Sequence, residues 1–167
     1  MSLTPQQLAA VPIMAAAAVA AEKFGATPTR PGVPAAMSMA QCIFESNWLQ
    51  NAPCFNCFGI KADGYGIGKQ YKLTHEYING SYKLLFDTFE TYDSIDACFK
   101  DHACLLSEGT PYRKAWVEYV RSRDIARFIT EVAKVYATDP KYAEKILAEA
   151  TSSTVTNAIA QARAKGA

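Results

Sequence analysis

The chain has 167 residues, of which half are hydrophobic and 20% are charged. This length predicts one compact domain, and the composition is that of a globular chain with a hydrophobic core, not of a disordered one. Seventeen basic against sixteen acidic residues leave a net charge of +1, which argues against nucleic acid or an anionic membrane as the partner. Five cysteines are too few for a disulfide-stapled secreted domain, so we expect mostly free thiols.

The first predicted element is an alanine-rich helix near the start of the chain. Thr4 is a good helix cap, Pro5 suits the first helical position, and Gly25 is a plausible stop. The apolar run from Leu8 to Ala21 is shorter than the roughly 20 residues that cross a bilayer, and no basic residue precedes it as in a secretory signal. We therefore expect a buried core helix, with no membrane insertion and no signal peptide.

A second helix is predicted from Ala35 to about Asn51, after a proline-rich loop and before Pro53. Its apolar residues recur at spacings of three and four, which predicts one buried face: Ala36, Ala40, Ile43 and Phe44. Glu45 falls in the last two turns of this helix.

A β-hairpin is predicted around Asn79 and Gly80, the residue pair most typical of a two-residue hairpin turn. Three glycines within residues 61–68 precede it and predict a tight or mobile connection. Counting back from the turn gives one register: Ile78 opposite Ser81, Glu76 opposite Lys83, and Thr74 opposite Leu85.

Helical spacing returns after the hairpin. The pattern predicts five more helical segments: from Asp93 or Ser94 to Gly109, over 112–121, over 125–135, from Asp139-Pro140 through Leu147, and in an alanine-rich piece after a polar stretch at 151–154. The predicted fold class is α+β, mostly helical, with one small antiparallel hairpin between the second and third helices.

The segment from Ala40 to Ala62, AQCIFESNWLQNAPCFNCFGIKA, resembles the AQ-x-x-LES-x-W … APx-N-x-FGIKA signature of bacterial endo-β-N-acetylglucosaminidase domains, glycoside hydrolase family 73. These domains occur in flagellar peptidoglycan hydrolases, autolysins and phage lysins. Two more blocks follow in the family's order: Thr74 to Ser94, similar to its T-x-E-x-x-NG hairpin and F-x-x-YDS, and Val135 to Leu147, similar to its YATDP-x-YA block. Asn47 and Glu90 stand where the family usually has glycine and arginine.

The resemblance implies a lysozyme-like helical lobe with a small β-hairpin lobe. Residues 1–150 would form the glucosaminidase catalytic domain, and residues 151–167 a C-terminal helical extension of the same domain. The implied partner is the glycan strand of peptidoglycan, bound by a monomer without a cofactor. The implied place of action is the cell wall, in the periplasm or outside the cell, and delivery is expected by specialised export, phage lysis or a secretion machine.

Glu45 is the candidate general acid. Near the C-terminal end of a helix, its carboxylate meets the negative end of the helix dipole, and Phe44 and Trp48 would partly desolvate it. Both effects favour the protonated form, which a glycosidase needs to protonate the leaving oxygen. An isolated helical glutamate is more often a simple surface residue, but the family resemblance favours the catalytic role.

Glu76 is the candidate second carboxylate, because the resemblance places a functional glutamate at this hairpin position. It would activate water or steady the developing charge; the alternative is a cross-strand ion pair with Lys83, worth about 0.2–1 kcal/mol. In a third route the substrate's own 2-acetamido group is the nucleophile. Tyr136 matches a family tyrosine that faces the groove, where it would orient the sugar; by pattern alone it is a core tyrosine.

The candidate substrate-binding residues are Trp48, Asn56, Phe58 and Tyr77. Trp48 and Tyr77 would stack on sugar rings, and packing alone is the alternative for such rings. Asn56 and Phe58 would shape the loop beneath the groove and so position Glu45.

Cys54 and Cys57 have the C-x-x-C spacing of half a zinc site, but the chain offers no second pair of short spacing. We therefore expect no metal, and ordinary thiols that could form a disulfide with each other outside the cytoplasm. His75 and His102 lack the spacing of a zinc-binding HExxH helix.

The leading hypothesis is a peptidoglycan hydrolase that cuts the β-1,4 bond between N-acetylglucosamine and N-acetylmuramic acid. A muramidase or a lytic transglycosylase on the same fold is the first alternative, since a single glutamate could serve either reaction. The second is a catalytically silent glycan-binding module of a phage tail or flagellum.

Overall fold

The computed structural model describes residues 2–62, 66–78 and 81–166, and the side chains of all of these except residues 75–78 and 82. The described helices and strands are, in chain order, α1 (Pro5–Gly25), α2 (Ala35–Ser46), β1 (Gly68–Ile78), β2 (Ser81–Thr91), α3 (Ile95–Glu108), α4 (Arg113–Ser122), α5 (Ile125–Tyr136), α6 (Tyr142–Ala150) and α7 (Ser153–Ala164). Short 3₁₀ turns lie at Pro53–Phe55 and Thr110–Tyr112. The predicted fold class is confirmed: α+β, mostly helical, with one antiparallel hairpin between the second and third helices.

Helix α1 begins and ends where the sequence predicts. The Thr4 hydroxyl accepts a hydrogen bond from the Gln7 N–H, and the Gln7 side chain accepts one from the Thr4 N–H, which is a reciprocal cap. With 21 residues, α1 is long and apolar enough to cross a membrane by length and composition. The argument that its apolar run is too short for a membrane span is therefore wrong. Helix α1 packs against α2, α3 and α7 with its buried residues, Met14 and Val19 among them, as a core helix.

Helix α2 ends at Ser46, five residues before the predicted end. Asn47, Trp48 and Leu49 have φ values of 48°, 60° and 64°, so the backbone leaves the helix through a left-handed turn. Asparagine tolerates this conformation better than other residues with a side chain. The left-handed φ explains why glycine is usual at this position in the family signature that the segment resembles.

The two strands pair in the predicted register: Ile78 with Ser81, Glu76 with Lys83, and Thr74 with Leu85. The turn residues Asn79 and Gly80 and the connection 63–65 lie outside the described residues. At the base of the hairpin, the Glu90 N–H donates to the Ile60 carbonyl at 3.0 Å. Strand β2 therefore anchors the loop that follows α2.

The last five helices keep the predicted order, with small shifts at their ends. Ser94 caps α3 and Gly109 ends it, as predicted. Helix α6 begins at Tyr142 and not at Pro140, because Asp139 and Pro140 form a turn closed by a hydrogen bond from the Tyr142 N–H to the Asp139 carbonyl.

The core is built from side chains of several helices. Among the largest fully buried ones are Met14, Met37, Phe99, Phe128 and Ile146. Helix α7 buries an apolar face against α1 and α2, so residues 153–164 share the core with the helices before them.

Candidate active site

Glu45 is the next-to-last residue of α2, directly before the left-handed turn. Its neighbour Ser46 fixes that turn: the buried Oγ donates to the Cys42 carbonyl at 2.6 Å and accepts from the Leu49 N–H at 2.9 Å. Because one hydroxyl hydrogen-bonds both the last turn of the helix and the turn that follows it, Ser46 fixes the backbone conformation next to Glu45.

Glu45 lies in the wall of an open cavity of about 380 Å³. The rest of the wall comes from the loop after α2 and from residues of the helical lobe: Phe58, Gly59, Ile60, Lys61, Leu105, Tyr112 and Tyr136. A larger cavity of about 650 Å³ lies between α1 and α7, and its described lining contains no Asp or Glu. Of these two cavities, the smaller one therefore has a carboxyl group in its described wall that could serve acid–base chemistry.

Tyr142 holds the Glu45 carboxyl group. Its hydroxyl donates to Oε1 at 2.7 Å and accepts from Nε2 of the buried Gln41 at 3.2 Å. Desolvation by the surrounding protein raises the pKa of Glu45, and the Tyr142 hydrogen bond lowers it by less. The predicted rise in the pKa is confirmed, and so is desolvation as one of its two predicted causes. Neither Phe44 nor Trp48, the predicted source of that desolvation, is among the residues that line the cavity. A contribution from the helix dipole, the other predicted cause, stays a prediction.

Tyr136, the last residue of α5, lines the same cavity as Glu45. Its ring stacks on that of Tyr142 with the centroids 5.8 Å apart, and its hydroxyl donates to the Phe58 carbonyl at 3.3 Å. Burial, followed by the nearby Glu45 charge, raises the pKa of Tyr136 well above its ordinary value, so the hydroxyl stays neutral. The structure thus brings Glu45 and Tyr136 together; the role of Tyr136 in orienting the sugar stays a prediction.

Asn56 and Phe58 fix the loop that forms one wall. Asn56 Nδ2 donates to the carbonyls of Ile60 and Glu90 at 2.9 and 3.0 Å, and its Oδ1 accepts from the Ile60 N–H at 3.0 Å. The buried Phe58 ring stacks on the His102 ring with the centroids 3.8 Å apart. Contact of Asn56 or Phe58 with substrate stays a prediction, as does their predicted part in positioning Glu45.

The described side chains that line this cavity include none of the other predicted site residues, Trp48, Glu76 and Tyr77. Trp48 is half-buried against the core and is not part of the cavity wall. The backbone of Glu76 pairs with that of Lys83, but the side chains of Glu76 and Tyr77 lie outside the described ones. Stacking by Trp48 and Tyr77 and catalysis by Glu76 stay predictions.

Cys54 and Cys57 lie in different surroundings. Cys54 is exposed, whereas Cys57 is buried and its thiol donates to Cys98 Sγ at 3.4 Å. Cys57 therefore contacts a thiol of α3, and not Cys54 as the sequence spacing suggested. Among the described residues, no group of three or more His, Cys, Asp or Glu is arranged to hold a metal ion; that the protein uses none stays a prediction.

Sequence patterns do not single out Tyr142 and Gln41 as site residues. By helical spacing each is simply a residue on the buried face of its helix. The available signal is their place inside the resembling blocks, Gln41 in the AQ pair and Tyr142 in YATDP-x-YA. A buried polar side chain needs a hydrogen-bond partner. Here Gln41 donates to the Tyr142 hydroxyl, and that hydroxyl donates to Glu45.

A family model described as mannosyl-glycoprotein endo-β-N-acetylglucosaminidase, under the name Glucosaminidase, matches residues 21–153. The matched range includes α2, the cavity loop, the hairpin and Tyr142, and hence the whole candidate site.

Three similar proteins show where such sequences occur. A probable N-acetylmuramidase of Lactococcus lactis is 34% identical over 66% of this chain, an autolysin of Enterococcus faecalis 36% over 67%, and the peptidoglycan hydrolase FlgJ of Escherichia coli 32% over 69%. The matching part makes up 27%, 16% and 38% of these relatives, respectively, so the chain spans less than two fifths of their length.

Solved structures share the fold over almost the whole chain. The catalytic domain of the autolysin Auto from Listeria monocytogenes superposes with a TM-score of 0.70 at 26% identity, covering 95% of this chain and 90% of that one. A peptidoglycan hydrolase mutant from Sphingomonas sp. A1 gives 0.64 at 28% identity, covering 93% and 99%. These likenesses confirm the predicted lysozyme-like arrangement of a helical lobe and a hairpin lobe.

Proposed function

Because the chain belongs to the glucosaminidase family of glycoside hydrolases, we propose that it hydrolyses peptidoglycan at the β-1,4 bond between N-acetylglucosamine and N-acetylmuramic acid, with Glu45 as the general acid. The observation that carries the proposal is the Glu45 carboxyl group, which lies in an open cavity, accepts a hydrogen bond from Tyr142 and has a raised pKa. The relatives named autolysin and peptidoglycan hydrolase support peptidoglycan as the substrate.

In the proposed reaction, Glu45 begins protonated and gives its proton to the glycosidic oxygen as the bond to the sugar breaks. Glu45 is exposed on the open side of the cavity, but the protein around the carboxyl group, with Phe58 and Leu105 in the cavity wall, partly desolvates it and so favours the protonated form. Tyr142 stabilises the carboxylate that remains after proton transfer, because its hydroxyl already donates to Oε1. The site therefore contains one feature that favours protonated Glu45 and another that stabilises its carboxylate.

The positive charge that develops on the sugar requires a partner on the other side of the ring. Glu76 on β1 is the proposed base for the attacking water, which it would reach when the hairpin closes over the cavity. In the alternative route, the 2-acetamido group of the substrate attacks and Tyr136 orients it from the cavity wall. We propose action on the cell wall, in the periplasm or outside the cell, by a monomer.

The test is digestion of purified peptidoglycan by the protein and by Glu45→Gln. The amide is nearly isosteric with the acid but has no proton to donate, so we expect activity to fall by a factor of about 10²–10⁴ with an unchanged circular dichroism spectrum. Glu131→Gln is the matched control, because Glu131 pairs with Lys134 at 2.6 Å on the exposed side of α5 and should keep full activity. Residual activity of Glu45→Gln above about one tenth would contradict the general-acid role.

The second candidate function is muramidase activity, which the name of the Lactococcus lactis relative favours. The products separate the candidates: after borohydride reduction, mass spectrometry should find reduced N-acetylglucosamine at the new ends. Reduced N-acetylmuramic acid would show a muramidase, and 1,6-anhydro ends would show a lytic transglycosylase. Inactivity of the unaltered protein, together with its co-sedimentation with purified peptidoglycan, would show a silent glycan-binding module.

A further inference from the structure

Three of the five cysteines meet in the core although they come from separate elements. Cys42 lies on α2, Cys57 in the loop before β1, and Cys98 on α3, and each is at most 1% exposed. The Sγ atoms of Cys57 and Cys98 are 3.4 Å apart, and the Cys42 thiol is the other hydrogen-bonding neighbour of Cys57.

This thiol cluster (Cys42, Cys57 and Cys98) lies behind the active site. Cys57 directly precedes Phe58, and the rings of Phe58 and Phe99 meet edge to face with centroids 4.9 Å apart. A covalent bond within the cluster would therefore act on the loop that forms the wall beside Glu45.

The sulfur atoms of Cys57 and Cys98 lie in direct contact, at 3.4 Å. A disulfide holds its sulfurs about 2.05 Å apart, so these two need to approach by about 1.4 Å in total. As thiols they gain little from their contact, because an S–H group is a weak hydrogen-bond donor. The described residues provide no metal-binding arrangement that would explain the cluster instead.

We propose that Cys57 and Cys98 form a disulfide when the chain reaches the oxidising compartment in which it meets peptidoglycan, a step that rests on the proposed function only for the compartment. The oxidant is a disulfide compound, either a low-molecular-weight disulfide or the disulfide of a thiol oxidoreductase. Two thiols lose two protons and pass two electrons to it; the Sγ–Sγ bond forms while the oxidant's own disulfide is reduced to two thiols. In the reducing cytosol the pair stays open.

The bridge would have a defined mechanical effect. It would join residues 41 positions apart and close a loop that contains the whole hairpin, so it would restrict the unfolded chain strongly. It would also tie the cavity loop to α3. Since both thiols are buried, the bridge should form while the chain folds and be slow to form in the folded, reduced protein.

The test is to unfold and reduce the full chain, refold it with oxidised and reduced glutathione, block free thiols with iodoacetamide and map the peptides by mass spectrometry. We expect one linked peptide pair containing Cys57 and Cys98, and a melting temperature roughly 5–15 °C above that of the same protein refolded in reductant. Cys98→Ser should remove this difference. Cys104→Ser is the matched control, because Cys104 lies on the same helix outside the thiol cluster, and it should keep the difference.

Five blocked thiols after oxidative refolding would overturn the proposal, and so would a bridge from Cys57 to Cys42 or Cys54. The peptide map of the unaltered chain decides this even if Cys98→Ser does not fold. None of these measurements uses peptidoglycan, so their outcome is independent of whether Glu45 acts as proposed.

Discussion

The hydroxyl of Tyr142 donates a hydrogen bond to Glu45 Oε1 at 2.7 Å, joining the first residue of α6 to the end of α2 across 97 positions of sequence. A hydrogen bond to a carboxylate stabilises its charged form, so this contact lowers the pKa of Glu45 against the larger effect of desolvation. Tyr142 thereby reduces the pH range over which Glu45 stays protonated.

We expect Tyr142→Phe to move the alkaline limb of the kcat/KM profile to higher pH. Without the hydroxyl the pKa of Glu45 rises further, and the protonated form, which donates the proton in the proposed reaction, persists to higher pH. The buried Gln41 amide also loses its acceptor, which should lower the free energy of unfolding by about 1–3 kcal/mol. A series of peptidoglycan digestions across pH, with urea unfolding on the same protein, measures both effects.

Tyr136→Phe is the control for this shift, because the Tyr136 hydroxyl donates to the Phe58 carbonyl and not to Glu45. It should lower turnover without moving the alkaline limb upward. An alkaline limb that stays in place in Tyr142→Phe would show that a group other than Glu45 governs it.

His102 predicts an acid sensitivity of the fold. It is fully buried, and neither ring nitrogen has a hydrogen-bond partner among the described residues. Burial lowers its pKa from 6.5 to about 3, so between these values the unfolded chain binds the proton and the folded one does not. The free energy of unfolding therefore falls as the pH falls through this window.

For His102 this loss amounts to about 3 kcal/mol between pH 7 and pH 4, at about 1.4 kcal/mol per pKa unit. His102→Phe cannot ionise but can still stack on Phe58, so its loss over the same range should be smaller by about that amount. Urea unfolding of both proteins at the two pH values measures the difference and cancels any constant cost of the larger ring. Equal pH dependence in the two proteins would contradict the assignment.

The features that the sequence predicts well are those set by near neighbours in the chain. The cap Thr4 and the following Pro5 mark the start of α1, and the register that pairs Glu76 with Lys83 follows from counting along two strands. The early end of α2 is also a local feature, but helical spacing of apolar residues carries no information on the sign of φ at Asn47.

The features that the sequence does not predict are contacts between distant segments. Spacing along one helix cannot show that Tyr142 meets Glu45, or that Cys57 meets Cys98 and not its near neighbour Cys54. These pairs depend on how separate helices and loops pack together in the core, which local sequence patterns do not show. The place of Glu45 near the end of α2 is thus predictable, whereas its hydrogen-bond partner Tyr142 is not.

Asn47 offers a test of the left-handed turn after Glu45. A residue with φ of 48° and ψ of 61° is strained unless it is glycine or, to a smaller degree, asparagine. We expect Asn47→Ala to lower the free energy of unfolding by about 1 kcal/mol and Asn47→Gly to leave it equal or higher. Urea unfolding measures both, and equal stability of the alanine and glycine variants would show that the turn adopts another conformation.

Glu76 separates the two routes for the second half of the reaction. If Glu76 is the base, Glu76→Gln should lower turnover by a factor of about 10²–10⁴. Its melting temperature should change little, because a cross-strand pair of opposite charges contributes at most about 1 kcal/mol. Initial rates on peptidoglycan and thermal unfolding of the same protein supply the two measurements.

Lys83→Gln is the matched control, because Lys83 stands opposite Glu76 and is exposed. If the pair serves only stability, the two variants should lose the same small amount of melting temperature and both keep their turnover. If Glu76 is the base, Glu76→Gln alone loses turnover. Should Glu76→Gln keep near-normal rates, the base role is wrong and the 2-acetamido group becomes the better nucleophile. In that case Tyr136→Phe should cause the larger loss, because Tyr136 is the residue of the cavity wall proposed to orient that group.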